Sequence, residues 1–279
     1  MIRNPVVSGK FYPGSATSLE AQIREFIDEG ATKEEVLGVV SPHAGYSYSG
    51  PVAGAVLSRV KFKDTFVIMG PNHTGLGQPF SIMTEGTWRT PLGNVEIDTD
   101  LAIKILEMSP PLKEDHIAHL EEHSIEVQIP FLQYLKKGIR IVPILLTHAD
   151  STVYKEIGKG IAEAIKDQGG EAVIMASSDM THYEDQDSAS RKDLLAIVAI
   201  LELNEDELLK RIGEYHITMC GYAPVASLIS ACKDLGAEET ELVKYQTSGD
   251  VIRDFRSVVG YAGIIIKRGV WNAPAGETG

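Results

Sequence analysis

Histidines follow four apolar segments of this chain, and they are its residues best suited to chemistry. His43, His73, His148 and His182 come just after short, β-branched runs that are typical of buried strands. One such histidine alone is more often a surface or hydrogen-bonded core residue. Ligands of open α/β sheets, however, bind beyond the carboxyl ends of the strands. If the four strands are parallel, the four imidazoles ring one crevice, where they would bind a metal ion or carry protons.

Other residues near these histidines also fit a binding crevice. Pro42 and Pro71 stiffen the chain just before two of them. Asp179 follows the fourth apolar run, where it would orient a histidine or act on a substrate. Cys220 precedes a helical pattern, and the helix dipole would favour its thiolate as a ligand or nucleophile. A buried, inert thiol remains the alternative for Cys220, and it is the preferred interpretation of Cys232.

A second motif competes with this crevice. Residues 119–123 read H-L-E-E-H and match the H-x-x-E-H pattern of inverted zinc peptidases. On one helix, His119 and His123 would share a face, and Glu122 would act as base toward a zinc-bound water. Alternatively, Ser124 caps the next helix and separates the motif from it, which would leave His119 in a solvated acidic loop.

Apolar periodicity predicts the elements that position these residues. Four apolar runs predict buried strands at residues 36–40, 65–69, 139–146 and 172–176. Helical patterns occupy residues 52–60, 99–108, 125–136, 153–166, 188–203 and 223–235. Residues 80–97 resemble a hairpin insertion, and runs at 242–246 and 257–266 predict further strands. We therefore expect a single-domain α/β/α sandwich over residues 1–271, with a central mixed, largely parallel sheet, and a disordered tail at 272–279.

Composition narrows the class of protein. The chain has 279 residues, 43% of them hydrophobic, which suffices for a sizeable core. Its net charge of −13 disfavours nucleic acid and anionic membranes as partners. We find neither a secretory signal nor an unbroken apolar run of about 20 residues, the length a membrane helix needs. The two cysteines form no CxxC pair, so a reducing cytoplasm is the expected compartment.

Several short motifs, taken together and in order, resemble the Memo family along essentially the whole chain. They are P-V at 5–6, F-Y-P at 11–13, S-P-H-A-G-Y at 41–46, G-P-N-H at 70–73, E-H-S-I-E-V-Q at 122–128, S-S-D-M-T-H at 177–182 and C-G at 220–221. The resemblance implies a fold similar to the class III extradiol dioxygenases, which cleave catechol rings with non-haem iron. Microbial proteins of this kind resemble the middle component of the AmmeMemoRadiSam system, so AMME-type and radical-SAM proteins are the partners it implies.

The resemblance also implies a site. His43 and His73 match the two histidine ligands of the dioxygenases, Cys220 falls where those enzymes have a glutamate, and His182 lies where their catalytic histidine is expected. Asp179 would act beside His182. The residues expected to line the same pocket are Tyr46, Asn72 and His123.

Cysteine in place of a carboxylate makes the donor set softer. It favours copper or zinc more than the dioxygenase site does, although Fe(II) still fits. The first hypothesis is therefore a redox protein with Fe(II) or copper and no nucleotide cofactor, acting on a small-molecule or peptide substrate. The alternatives are a non-enzymatic module that binds a peptide or protein in the same pocket, and a zinc-dependent hydrolase.

Overall fold

The computed structural model describes residues 1–269, and a central β-sheet runs through this part of the chain. Its strands are β1 (Ile2–Arg3), β2 (Gly38–Ser41), β3 (Thr65–Pro71), β4 (Phe80–Ile82), β5 (Thr87–Thr90), β6 (Gly93–Ile97), β7 (Lys113–Glu114), β8 (Arg140–Leu146), β9 (Ala172–Ser177), β10 (His182–Glu184), β11 (Ala237–Thr247) and β12 (Val258–Arg268). The expected tail at 272–279 lies outside the described residues.

Helices cover both faces of this sheet. They are α1 (Ala16–Phe26), α2 (Tyr46–Ser58), α3 (Thr99–Met108), α4 (Ile117–Leu120), α5 (Ile129–Leu135), α6 (Ser151–Asp167), α7 (Gln186–Leu201), α8 (Glu205–Glu214), α9 (Tyr222–Asp234) and α10 (Ser248–Ile252), with a 3₁₀ turn at Glu126–Gln128. Helices α3, α6, α8 and α9 form one layer, and α1, α2 and α5 form the other. The predicted α/β/α sandwich is confirmed. No helix within residues 1–269 has the length and apolar character required to cross a bilayer.

The four apolar runs form the middle of the sheet. Strands β8, β3, β9 and β2 lie side by side in that order and are parallel, and β6 extends the parallel set beyond β8. Their side chains are almost all buried, because helices cover both faces. Antiparallel strands complete the two sides: β12 pairs with β2, and β5 pairs with β6. The carboxyl ends of β2, β3, β8 and β9 therefore meet at one edge, as predicted.

Close packing of α9 against β2 fixes the position of this strand. A Cβ atom at Gly38 in β2 would lie 2.6 Å from Cys232 Sγ and 2.7 Å from Leu228 Cδ1 of α9. Only glycine permits that approach. Cys232 is thus a buried core residue of α9, in agreement with its interpretation as an inert thiol.

A buried ion pair ties the N-terminal segment to the loop that carries His123. Arg3 pairs with Glu126, and both side chains are almost wholly buried. The Arg3 guanidinium also donates to the Glu122 carbonyl oxygen at 2.5 Å and to the His119 carbonyl oxygen at 3.0 Å. Glu126 accepts a further hydrogen bond from the Tyr12 hydroxyl at 2.6 Å. These contacts fix residues 119–126, which have little regular structure of their own, against the sheet.

Candidate metal centre

Three imidazoles converge beyond the carboxyl edge of the parallel strands. One ligand atom each from His43, His73 and His123 lies within 4.8 Å of the other two. His43 follows β2 and His73 follows β3, whereas His123 comes from the loop between α4 and the 3₁₀ turn. Two nitrogens that bind one zinc-like ion at about 2.0–2.1 Å each lie at most about 4.2 Å apart. The three side chains therefore need only small shifts to share an ion, and the donor set fits one.

A buried carboxylate orients His73. Glu122 Oε1 lies 2.9 Å from His73 Nδ1, and its Oε2 accepts from the His73 backbone N–H at 2.6 Å. Burial alone would raise the pKa of Glu122, but the hydrogen bonds from His73 and from the Ser124 backbone lower it to about 2. Burial opposes the charged form of His73 as well, yet the same carboxylate raises the pKa of its imidazole. A charged Glu122 thus leaves His73 Nε2 as the ligand atom, an arrangement typical of metal-bound histidines.

His43 lies at the buried end of the cluster. Its Nδ1 is 3.0 Å from Ser177 Oγ, and its Nε2 is 3.2 Å from Cys220 Sγ. Burial lowers the pKa of His43 well below its ordinary value, and the neighbouring His73 and His123 lower it further. His43 is therefore neutral, which is the form that binds a metal ion.

Cys220 adjoins this cluster but is not a ready thiolate. Burial raises the pKa of its thiol, and the neighbouring Asp179 carboxylate raises it further. Helix α9 begins at Tyr222, close to the predicted start, but burial and the Asp179 carboxylate outweigh the effect of its dipole, so the expected stabilisation of the thiolate was wrong. The Asp179 backbone N–H does donate to Sγ at 3.3 Å. A bound cation would be needed to deprotonate this thiol.

Asp179 and His182 are each held by a hydrogen bond to the backbone. Asp179 Oδ1 accepts from the His43 backbone N–H at 2.8 Å, and burial raises the pKa of its carboxyl to about 6. His182 Nδ1 lies 2.9 Å from the Thr218 carbonyl oxygen. Since that oxygen can only accept, Nδ1 carries a proton, and in the neutral imidazole Nε2 has a free lone pair.

An open cleft of about 640 Å³ lies over the cluster. Its lining consists of Phe11, Ala44, Gly45, His73, His123, Asp179, His182, Tyr183, Thr218, Cys220 and Val259. Titratable groups share the cleft with apolar walls contributed by Phe11, Tyr183 and Val259. A pocket of this size holds a drug-sized molecule or a few peptide residues.

Comparison with known proteins identifies the family. The family model described as Memo-like protein matches residues 3–265. The chain belongs to the Memo family. A MEMO1 family protein of Methanopyrus kandleri is 43% identical over 283 residues, which cover 96% of this chain and 100% of that protein. Another, from Methanococcoides burtonii, is 46% identical over 272 residues, with 95% and 100% coverage.

A solved structure shares the fold of this Memo-family chain. The crystal structure of an uncharacterized protein from Escherichia coli K12 aligns with a TM-score of 0.59 at 12% sequence identity, covering 83% of this chain and 100% of that one. Identity this low shows the fold alone.

His148 lies apart from the cluster, so the expected ring of four strand-end histidines was wrong at this position. Its Nδ1 contacts the Tyr222 hydroxyl at 2.9 Å, and its side chain faces solvent. The reason is strand order, because β8 lies on the far side of β3 from β9 and β2. His123 takes its place beside His43 and His73.

Tyr46 and Asn72 were expected to line the pocket, but neither belongs to its lining. Both support neighbouring segments of the Memo-family site instead. The Tyr46 hydroxyl donates to the Val127 carbonyl oxygen at 2.6 Å, and its ring packs on Phe131. The Asn72 amide donates to the Leu76 carbonyl oxygen at 2.8 Å and shapes the loop after His73.

The inverted peptidase motif does not form a shared helix face. Helix α4 ends at Leu120, so His119 and His123 do not lie on one helix. His119 is fully buried, with Nε2 3.2 Å from Ser81 Oγ, and it is not in a solvated loop either. The expected cap was also wrong, because the Ser124 hydroxyl donates to the Pro71 carbonyl oxygen at 3.0 Å. Glu122 instead orients His73.

Sequence reasoning did not assign several lining residues to the cleft, among them Phe11, Tyr183 and Val259. Phe11 belongs to the F-Y-P segment and Tyr183 directly follows His182, so motif membership and adjacency were signals for both. Val259 lies within a predicted strand and carries no signal of its own. It reaches the cleft because β12 pairs with β10 at His182.

Proposed function

We propose that the protein binds a metal ion with His43, His73 and His123, with Cys220 as an adjoining ligand, and uses it in an oxidation of a small molecule or peptide. The observation that carries the proposal is the convergence of three imidazole ligand atoms within 4.8 Å of one another beside the cleft. Imidazole suits iron, copper and zinc, and a thiolate beside it favours copper or zinc further.

The residues of the cleft divide the remaining work. A bound iron or copper ion would supply oxygen activation or electron transfer. His182 would accept or deliver a proton at Nε2, since its Nδ1 proton is held by Thr218. Asp179 holds the His43 backbone, and burial raises the pKa of its carboxyl to about 6, so it exchanges protons near neutral pH.

The apolar walls of the cleft would contact a bound substrate. Phe11, Tyr183 and Val259 would exclude water from one side of a bound molecule. The same walls support a second candidate, a module that binds a peptide or protein without chemistry. Three histidine ligands are also the donor set of zinc sites that activate water, which supports a hydrolase as the third candidate.

The family resemblance and the two free cysteines support proposals about the partners and the compartment of the protein. AMME-type and radical-SAM proteins are the proposed partners, and the resemblance alone supports them. Both cysteines are free, which supports a reducing cytoplasm as the compartment.

Metal content tests the proposal directly. The protein would be purified without oxygen or chelator, and metal would be measured in wild type and in the His43→Ala, His73→Ala, His123→Ala and Cys220→Ala variants. We expect near-stoichiometric iron or copper in wild type, abolished in each histidine variant and weakened in Cys220→Ala. His148→Ala is the matched control, a histidine at a strand end outside the cluster, and it should retain the metal.

Other outcomes distinguish the candidates. Stoichiometric zinc that supports hydrolysis would replace the oxidative proposal with the hydrolase. A wild-type protein that contains no metal and cannot be loaded with Fe(II), Cu(I) or Zn(II) would contradict every metal-based function and leave the binding module.

A further inference from the structure

The Ser177 side chain joins three groups at the end of β9. Its Oγ lies 2.6 Å from the Ser124 carbonyl oxygen, 2.8 Å from Gln128 Nε2 and 3.0 Å from His43 Nδ1. Both Ser177 and Gln128 are buried, so water does not compete for these hydrogen bonds. The direction of each bond can therefore be assigned from the chemistry of the groups.

The Gln128 amide has one orientation. Its Nε2 also lies 2.8 Å from the Pro42 carbonyl oxygen and 3.4 Å from the Ser41 carbonyl oxygen. Carbonyl oxygens only accept, so the amide nitrogen must face them. Gln128 thus donates to Ser177 Oγ and occupies one of its two lone pairs.

The Ser177 hydroxyl has a single proton, and the Ser124 carbonyl oxygen takes it. At 2.6 Å, two oxygens without a proton between them would repel each other. Only one lone pair of Oγ then remains for His43, and a lone pair can only accept. His43 Nδ1 must therefore carry a proton, and in the neutral imidazole Nε2 has none.

We propose that Ser177, held by Gln128 and Ser124, is a positioning residue that fixes His43 as the Nδ1–H tautomer and so leaves Nε2 as its ligand atom. The opposite tautomer would place a proton on Nε2, where Cys220 Sγ at 3.2 Å would accept it and the ligand atom would be lost. The consequence for metal binding rests on the proposed function, but the tautomer itself does not.

A neutral hydroxyl suits the position of His43. His73, which is partly exposed, has the charged Glu122 as its partner, whereas His43 is almost wholly buried. A second carboxylate at this depth would need its own compensating charge. Ser177 sets the direction of the imidazole and its proton without adding charge to the site.

Nitrogen NMR on metal-free protein labelled with ¹⁵N at histidine tests the assignment. In wild type we expect His43 to carry its proton on Nδ1 only. In Ser177→Ala the proton should distribute over both nitrogens, and Ser177→Thr, which keeps the hydroxyl, should restore Nδ1–H. Zn(II) affinity should weaken by about 10–100-fold in Ser177→Ala, the range measured for loss of such partners.

Ser178→Ala is the matched control. Ser178 is the next residue and is equally buried, and its hydroxyl bonds to the Asp179 carbonyl oxygen and the Gly221 backbone N–H. Removal of its hydroxyl should leave the His43 tautomer unchanged.

Two results would overturn the inference: a proton on Nε2 of His43 in wild type, or a Ser177→Ala variant that keeps the wild-type tautomer. The wild-type spectrum tests the assignment of the proton to Nδ1 even if the variants do not fold. A wild-type protein with the expected tautomer that binds none of Fe(II), Cu(I) and Zn(II) would contradict the metal-based proposed function and still support this inference.

Discussion

Three histidines of the candidate site have their Nδ1 atoms hydrogen-bonded, each to a different kind of partner. Ser177 faces His43, Glu122 faces His73, and the Thr218 carbonyl oxygen faces His182. Each therefore turns Nε2 away from its partner, but the pKa values of His43 and His73 are shifted in opposite directions. The carboxylate raises the pKa of His73 against its burial, whereas burial lowers the pKa of His43. The imidazoles of His43 and His73 thus differ in proton affinity, which suits them to different roles.

The first prediction concerns acid unfolding of the metal-free protein. Glu122 has a pKa of about 2 when folded and 4.5 as its ordinary value, because hydrogen bonds outweigh its burial. A depressed carboxyl pKa stabilises the fold above the unfolded value, and this contribution is lost as the pH falls toward the folded value. We expect the free energy of unfolding to fall by about 3 kcal/mol between pH 5 and 2 through this group. Denaturant titrations at each pH measure it.

Glu122→Gln is the control for that titration. His73 and His123 face this carboxylate. The folded pKa of His73 is raised, so its protonation opposes acid unfolding, whereas that of His123 is lowered, so its protonation adds to acid unfolding. The difference between wild type and variant reports Glu122 together with its coupling to these two imidazoles. Two proteins that lose stability equally between pH 5 and 2 would show that this carboxylate does not titrate as the geometry implies.

The second prediction concerns the buried pair of Arg3 and Glu126. Arg3→Met leaves Glu126 as an unpaired buried charge and removes donors from two carbonyl oxygens. We expect a loss of about 3–5 kcal/mol in the free energy of unfolding. The double variant Arg3→Met with Glu126→Leu should regain part of it, because no lone charge remains. A single variant as stable as wild type would contradict the prediction.

At the scale of elements, a bulge in β10 displays Tyr183. The register between β10 and β12 shifts between His182 and Glu184, which makes Tyr183 the extra residue. Its φ is 62°, and its side chain is 78% exposed beside the cleft. A left-handed backbone costs a non-glycine residue about 1–2 kcal/mol. Such strain is typical of functional sites.

The third prediction follows from this strain. Tyr183→Gly removes the steric cost and little buried area, so the free energy of unfolding should stay level or rise by up to about 1 kcal/mol. Tyr183→Val should lower it, because β-branched residues tolerate this conformation poorly. Urea denaturation measures both. Tyr215→Gly is the matched control, since Tyr215 ends α8 at φ −101° and should only lose stability.

Strands and helices with strong apolar patterns were the predictable part of the fold. The run at 139–146 and the observed β8 differ by one residue. Helix α3 begins at Thr99, as predicted, and the carboxylate of Asp98 caps it by accepting from the Leu101 backbone N–H. Helix α2 begins at Tyr46 instead of 52, because Gly50 and Gly54 let it pack directly against Phe26. That contact joins distant parts of the chain, and local periodicity does not record it.

For the molecule as a whole, the order of strands decided which histidines meet. Sequence placed His43, His73 and His148 equally at strand ends, but β8 lies outside the group of β3, β9 and β2 whose ends surround the cluster. His123 enters through an irregular loop anchored by Arg3, which is distant from it along the chain. Neither fact follows from local pattern, because both depend on long-range pairing.

The last prediction uses the same long-range arrangement. The ligands come from residues 43, 73, 123 and 220, so an unfolded chain does not hold them together and a metal ion binds the folded state preferentially. At free Zn(II) 100 times the dissociation constant, we expect the free energy of unfolding to rise by about 2.7 kcal/mol. His123→Ala should abolish this increase while His119→Ala retains it, because His119 lies in the core beside Ser81. If both variants lose the increase, the H-x-x-E-H motif binds the metal. If both variants keep it, the metal binds elsewhere.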